Sequence, residues 1–274
     1  MPFTERRAAF RKLHQSGCFV IPNPWDAGSA RYLQHLGFTA LATTSAGLAF
    51  ARGLADGAVP LDTVIANVRE IVSAVDLPVN VDFESGYAQE LNALADNVRL
   101  CVAAGVAGLS IEDSTGDREH PLYDLPVAIE RIRTARAAID SSNSGVLLTA
   151  RAECFLTGHP DPFRESVRRL RAYAEAGADV LYAPGIDERD SIKALLAELP
   201  AKPVNILMSR NTGLKVADLA ELGVRRISVG SGLARTAWNG FMHAAQAIAK
   251  DGSFAAFEGI ASFAEINGFF RGLK

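Results

Sequence analysis

Cysteine is scarce in this 274-residue chain: Cys18, Cys101 and Cys154 are an odd number and stand far apart. They form no C-x-x-C pair and no disulfide framework, so a reducing cytoplasm is the expected location. An excess of charge of one sign is also lacking. The 28 Lys and Arg against 31 Asp and Glu leave a formal charge of -3, too balanced for the basic footprint of a nucleic-acid binder. No run approaches about 18 apolar residues, so no membrane span is expected. The opening MPFTERRAAFRKLH is amphipathic and charged, without the apolar stretch of a signal peptide. Several catalytic signatures are missing as well. The five His show no H-E-x-x-H or paired zinc spacing, and there is no G-x-S-x-G elbow. No Pro/Gly/Ser-rich linker divides the chain.

What is present is an alternation repeated eight times. Short apolar, β-branched runs lie at 18–22, 39–45, 78–83, 108–113, 146–151, 179–184, 203–208 and 225–230. Segments of helical period follow near 27–36, 61–75, 89–104, 125–140, 161–176, 188–198, 215–222 and 232–249. Continuous apolar runs suit strands buried on both faces. Gly37, Gly105, Gly177 and Gly223 stand where helices should end. Eight β–α units in roughly 230 residues predict an α/β fold of the (β/α)8, TIM-barrel type. An open doubly wound sheet would want G-x-G-x-x-G after its first strand, and that turn reads NPWDAGSA. We therefore expect a barrel over 1–250 and a helical tail over 251–274. The tail holds five of the 14 Phe, too much apolar surface to leave in water. It would close its own barrel or pack on a neighbouring subunit. Ser262 and Glu265 are spaced to cap its last helix.

In such a barrel the chemistry sits at the C-terminal ends of the strands. Those ends carry Trp25 and Asp26; Ser45, Ala46 and Gly47; Asp82 and Glu84; Glu112 and Asp113; Arg151 and Glu153; and Tyr182 and Asn205. Acids from adjacent strands should converge, and carboxylates that close oppose one another's ionisation unless a cation lies among them. An all-oxygen set with no thiolate suits a hard ion, Mg2+ first and Mn2+ as the alternative. The competing reading is that single acids cap the helices that follow. Arg151 could hold a carboxylate or a developing enolate through two hydrogen bonds, or pair with Glu153 or Glu112. The hydroxyl and amides of Ser45-Ala46-Gly47 could meet a substrate carboxylate, or form a plain capped turn. Gly230-Ser231-Gly232 lies where many barrels bind phosphate, although a glycine after a strand is common.

From residue 18 to about 240, the chain resembles the isocitrate lyase/phosphoenolpyruvate mutase superfamily. The resemblance rests on NPWDAGSARYLQHLGF, ATTSAGLA, VNVDFESGYA, GLSIEDS, LLTARAE and VRRISVGSGLAR, the third and fourth being the specific ones. It implies a Mg2+-dependent enzyme that makes or breaks a C–C or P–C bond at carbon 3 of a small 2-oxo or 2-hydroxy acid, through a pyruvate-type enolate. By position, Asp82 resembles the direct metal ligand, Glu84 and Glu112 the acids that reach it through water, and Asp56 an acid of the same shell. Ser45 with the amides of Ala46 and Gly47 would hold the substrate carboxylate, with Trp25, Asp26 and Asn205 as further substrate contacts. Arg151 would stabilise the enolate oxygen. Tetramers that exchange a C-terminal helix occur in the family, which makes a homo-oligomer, dimer or tetramer, the expected state.

The chain also departs from the family. The lyase branch carries a Lys-(Lys/Arg)-Cys-Gly-His loop after the fourth strand, and the mutase and hydrolase branches a Lys and an Asn there. Here the loop reads STGDREHPLYD, with none of them. Glu84 stands where many members have Asp. Glu112 and His120 are the acid–base candidates, His120 being the one replacement the loop offers. Decarboxylation of an oxaloacetate-like acid needs the least further machinery, since carbon dioxide leaves without a base. The alternatives are a P–C bond enzyme and a catalytically silent 2-oxo acid binder.

Overall fold

The computed structural model describes residues 1–199 and 201–272. They form α1 (Phe3–Leu13), β1 (Phe19–Ile21), α2 (Ala27–His35), β2 (Leu41–Ala42), α3 (Ser45–Ala51), α4 (Leu61–Ala74) and β3 (Val79–Asp82). After these come α5 (Leu91–Ala103), β4 (Gly108–Glu112), α6 (Leu125–Ser141), β5 (Leu147–Arg151), α7 (Pro162–Glu175) and β6 (Val180–Tyr182). The remainder is α8 (Arg189–Glu198), β7 (Val204–Leu207), α9 (Val216–Leu222), β8 (Arg226–Ser228), α10 (Gly232–Asp251), a single 3-10 turn (Ala255–Phe257) and α11 (Phe263–Gly272). All the strands pair in parallel, in the order β1-β8-β7-β6-β5-β4-β3-β2. Between the two ends of that sheet, the Ala42 amide donates to Pro22 O at 3.0 Å, so the barrel is nearly closed. The expected (β/α)8 architecture is present.

The expected helices and strands lie within about two residues of their predicted bounds, except that the second strand, expected over 39–45, is only Leu41–Ala42 and gives way to a helix at Ser45; two further helices appear. The glycines at 37, 105, 177 and 223 take φ of 86°, 91°, 106° and 95°, the left-handed conformation that ends a helix without a Cβ clash. The first unforeseen helix, α1, buries Phe10 in a small cluster with Phe19, Ile21, Ala40, Ala42, Ala107 and Leu147. Phe19 and Leu147 begin their strands and Ala40 and Ala107 immediately precede theirs, so α1 plugs the floor of the barrel. The fit is close. A Cβ on Gly108 would fall 2.6 Å from Asn80 Oδ1 and 2.7 Å from a Phe10 ring carbon. His14, which caps the C-terminus of α1, packs edge-on against Phe10 and Phe19 at centroid distances of 4.6 and 5.0 Å. The second, α3, begins at Ser45 because Thr44 Oγ1 accepts the Gly47 amide at 3.2 Å.

The chain divides into two compact units, 1–233 and from 234 onward. The second holds most of α10 together with α11, where Ser262 Oγ accepts the Glu265 amide at 3.1 Å as the expected cap. Phe254 is 67% and Phe263 84% exposed there. No helix among the described residues is long and apolar enough to cross a membrane.

Candidate active site

Two neighbouring cavities open at the C-terminal ends of the strands, about 180 and 550 Å³ in volume. They share Ser45, Asp56, Arg151 and Leu156. Arg151, the last residue of β5, organises the rim. Its Nη1 donates to Asp82 Oδ1 at 2.6 Å and approaches Glu112 Oε2 at 3.0 Å, while its Nε donates to Glu153 Oε1 at 2.9 Å. The ion-pair reading of Arg151 is the one the geometry shows; among the described residues its Nη2 makes no hydrogen bond, and the residue borders both cavities. The Asp82 Oδ2 accepts the Ser45 amide at 3.1 Å, and its backbone amide donates to Thr43 Oγ1 at 3.0 Å. Glu84 accepts from Tyr87 Oη at 2.8 Å. Both Glu84 (φ 44°) and Tyr87 (φ 55°) hold left-handed backbone, costly for residues with a Cβ and typical of functional loops.

Carboxylates outnumber the cations. Asp56, Asp82, Glu84, Glu112 and Glu153 border these cavities, against two guanidiniums, Arg151 at the rim and Arg226 deeper in the smaller cavity, and only Arg151 pairs with any of these acids. Burial and mutual repulsion push the carboxyls of Asp56, Glu112 and Glu153 upward, burial first in each case, and carry Glu84 to about 7. That excess of buried acid fits a divalent cation held by oxygen. Among the described residues no group of three or more His, Cys, Asp or Glu side chains is placed so that it could hold a metal ion by itself. An open set of carboxylates beside a cavity is what Mg2+ accepts, since it keeps several waters and needs one or two direct carboxylates.

The remaining sequence candidates divide. Asn205 borders the smaller cavity, donating to Ser228 Oγ at 2.9 Å and accepting from Arg226 Nε at 2.8 Å. Ala46 borders it too, but the expected cradle of Ser45 with the amides of Ala46 and Gly47 is reduced: the Gly47 amide donates to Thr44 Oγ1, the Ser45 side chain bonds Asp56, and the Ser45 amide donates to Asp82. Asp26 caps α2, bonding the amide and hydroxyl of Ser29, and borders neither cavity. Trp25 borders neither, its carbonyl accepting from Asn67 Nδ2 at 3.0 Å. Asp113 turns away from its neighbour Glu112, as successive strand residues do. It accepts from Tyr173 Oη at 2.6 Å and from Arg169 at 3.1 Å in a buried network. His120 is the clearest correction. Its side chain is 83% exposed, its ring lies 3.7 Å from Asp117 of the same loop, and the cavity is bordered instead by Ser114, Thr115 and Gly116.

Sequence reasoning missed Arg226, the first residue of β8. It is 3% exposed, borders the smaller cavity, and has its charge lowered in pKa to about 10 by burial, so it remains a cation at neutral pH. The available signal was a pair of arginines, Arg225 and Arg226, opening a barrel strand, of which one had to point inward.

A (β/α)8 barrel with an acid-rich C-terminal rim around one arginine defines a class of enzyme, and comparison with known proteins identifies which. The phosphoenolpyruvate phosphomutase family model matches residues 10–249, and the chain belongs to that family. Oxaloacetate decarboxylase of Pseudomonas entomophila (strain L48) is 30% identical over 236 residues, covering 80% of this chain and 76% of that protein. A Burkholderia cenocepacia J2315 structure, named provisionally as a lyase/mutase, superposes with a TM-score of 0.95 at 42% identity, covering 99% of this chain and 98% of that one. The structure of 2,3-dimethylmalate lyase, a PEP mutase/isocitrate lyase superfamily member, gives 0.83 at 28% identity, covering 98% and 93%. The protein is an enzyme of the superfamily's lyase and mutase class.

Proposed function

We propose that the protein is a divalent-metal-dependent lyase that breaks the bond at carbon 3 of a small 2-oxo dicarboxylic acid, releasing carbon dioxide from an oxaloacetate-like substrate. The observation that carries this reading is Arg151, tied to Asp82, Glu112 and Glu153 with Nη2 left over. Asp82, Glu84, Asp56 and Glu112 would hold Mg2+, Asp82 directly and the others through water. When bound, the cation supplies a Lewis acid that draws electron density toward the substrate's oxo oxygen.

The chain's own residues do the rest. The bond from carbon 3 to the departing carboxylate breaks, its electron pair moves into the new C2–C3 double bond, and negative charge gathers on the oxo oxygen. Arg151 Nη2 donates to that oxygen. The three carboxylates hold the guanidinium in place beforehand, so little reorganisation is needed as charge develops. Asn205, fixed between Ser228 and Arg226, presents its carboxamide to the same cavity. The enolate then takes a proton at carbon 3 from water to give the 2-oxo acid product, so no loop acid is required, in keeping with a 114–124 loop whose histidine faces solvent. The P–C bond reading would need a phosphoryl-binding Lys or Asn in that loop, and the loop has neither.

A homo-oligomer is part of the proposal, supported by the exposed Phe254 and Phe263. Light scattering should give the mass of a dimer or tetramer, and a monomer would remove this part. For the reaction itself, NMR time courses with oxaloacetate and phosphonopyruvate, each with Mg2+ or chelator, decide. We expect Mg2+-dependent pyruvate formation above the no-enzyme rate, abolished in Asp82→Ala. Release of inorganic phosphate from phosphonopyruvate would transfer the protein to P–C chemistry. Binding without turnover would make it a silent 2-oxo acid binder.

A further inference from the structure

Arg226 is a buried cation with its counter-charge missing. Its Nε donates to Asn205 Oδ1 at 2.8 Å and its Nη2 to Thr149 Oγ1 at 3.1 Å, while the buried Nη1 has no partner. No carboxylate among the described residues lies within ion-pair distance of it. Two other deeply buried arginines have more partners. Arg169 pairs with Asp113 and Glu165, and Arg131 donates to the carbonyls of Ser85, Ala88 and Gln89. Arg131, like Arg226, has neutral oxygens alone and one buried nitrogen, its Nε, without a partner; Arg226 differs in having two neutral acceptors instead of three carbonyls and in bordering the cavity, where an anion could complete it.

The cavity supplies the route to such an anion. The space bordered by Arg226, Asn80, Ser110 and Ser228 at the barrel interior is continuous with that bordered by Asp82 and Arg151 at the rim. Asn205 is pinned, because its Nδ2 donates to Ser228 and its Oδ1 receives Arg226, so the guanidinium plane is fixed with Nη1 to spare. Below it, the Phe10–His14–Phe19 cluster closes the floor, and His14 supplies no counter-charge, since burial first and then repulsion from Arg226 keep it neutral. A small acid entering from the rim therefore meets oxygen-seeking groups at one end and an unsatisfied guanidinium at the other.

We propose that Arg226 is a specificity-determining anion subsite that receives the second acidic group of the substrate and so selects 2-oxo and 2-hydroxy diacids over monoacids. This rests on the proposed use of the rim for the 2-oxo acid end, and the test separates the two. Calorimetric titrations with Mg2+ present would use malate and 2-hydroxybutyrate, a matched pair differing by a carboxylate for a methyl group, and oxalate as a probe confined to the rim. We expect the wild-type protein to bind malate at least tenfold more tightly than 2-hydroxybutyrate. Arg226→Gln should abolish that preference while changing oxalate affinity less than twofold. A preference that survives the substitution, its absence from the wild-type protein, or equal losses for oxalate and malate would each overturn the assignment. If Arg226→Gln does not fold, the wild-type protein decides alone. Inorganic sulfate should then compete with malate and leave oxalate unaffected, and sulfate that competes with neither or with both overturns the subsite. Failure of oxalate to bind with Mg2+ would instead overturn the reading of the rim.

Discussion

At the rim of the barrel one guanidinium, that of Arg151, is shared by three carboxylates, whereas at the floor another, that of Arg226, has none. The rim carries more acid than its protein cation can balance, and burial drives those acids toward their protonated forms. The floor has the opposite imbalance, a buried cation above an aromatic plug. Each end is incomplete by itself. Metal at one end and anion at the other would satisfy both, and the distance between them runs through a single cavity. The contrast also separates where the molecule spends stability from where it gains it. The rim collects like charges and left-handed backbone at Glu84 and Tyr87, while the floor collects buried apolar surface.

The largest expected effect breaks the rim. Arg151→Met should lower turnover of the oxaloacetate-like substrate by about 10³-fold, on the order of 4 kcal/mol of transition-state stabilisation. Steady-state kinetics with a melting curve as control would measure it; a loss below tenfold would remove Arg151 from the chemistry. Breaking the floor should act on stability instead. Phe10→Ala, which empties the plug, should cost about 3 kcal/mol in urea denaturation. At a temperature well below melting, its kcat should stay within a few-fold of wild type. A kcat loss as large as that of Arg151→Met would mean that the two ends are not separable.

A smaller effect sharpens the comparison by pH. Burial, with repulsion from Arg226 second, lowers the pKa of His14 to about 3, so the histidine is neutral in the folded protein. Its unfolded value lies near 6.5. Between those values the unfolded chain binds more protons than the folded one, so this contribution is complete above pH 6.5 and is lost as the pH falls toward 3. From pH 7 to pH 5 the loss should be about 2 kcal/mol. His14→Gln, compared with wild type by urea denaturation at both pH values, should remove that part of the slope. Identical slopes in the two proteins would show that His14 titrates normally in the fold.

The parts of the molecule that were legible in the sequence, and the parts that were not, follow from periodicity and direction. Parallel strands buried on both faces read as apolar runs, so each barrel strand was visible before its register was known. The acids of the rim were visible because they end those runs. Which way a side chain points was less visible. Glu112 and Asp113 are adjacent, and the strand turns one inward to Arg151 and the other outward to Arg169. Alternation along a strand could have separated them. Two arginines begin the run RRISVG, and only the register of β8 against β7 shows that Arg226 is the inward one. The plug helix α1 escaped notice because Phe10 is its one fully buried apolar side chain. The short α3 read as a turn because its first residues are Ser, Ala and Gly. Asp26 shows the competing principle at work: an acid after a strand capped the next helix instead of facing the cavity.

The smallest expected effect concerns the loop between rim and solvent. His120 follows an acid-bearing strand end in sequence, yet its ring faces water, and its main-chain carbonyl is bound by the hydroxyl of Thr115 in the same loop. The loop's contribution to the cavity comes from Ser114, Thr115 and Gly116. His120→Ala should therefore leave kcat and KM within about twofold of wild type, the scatter expected of a surface substitution within ±0.5 kcal/mol. Its neighbour gives the contrast. Thr115→Ala removes a hydroxyl that ties the loop to itself and borders the cavity, so it should raise KM more than His120→Ala does. If His120→Ala instead lowered kcat tenfold or more, the loop would have to close over the substrate and bring the imidazole inward. A loop acid would then rejoin the mechanism, and the rim would no longer suffice for the reaction.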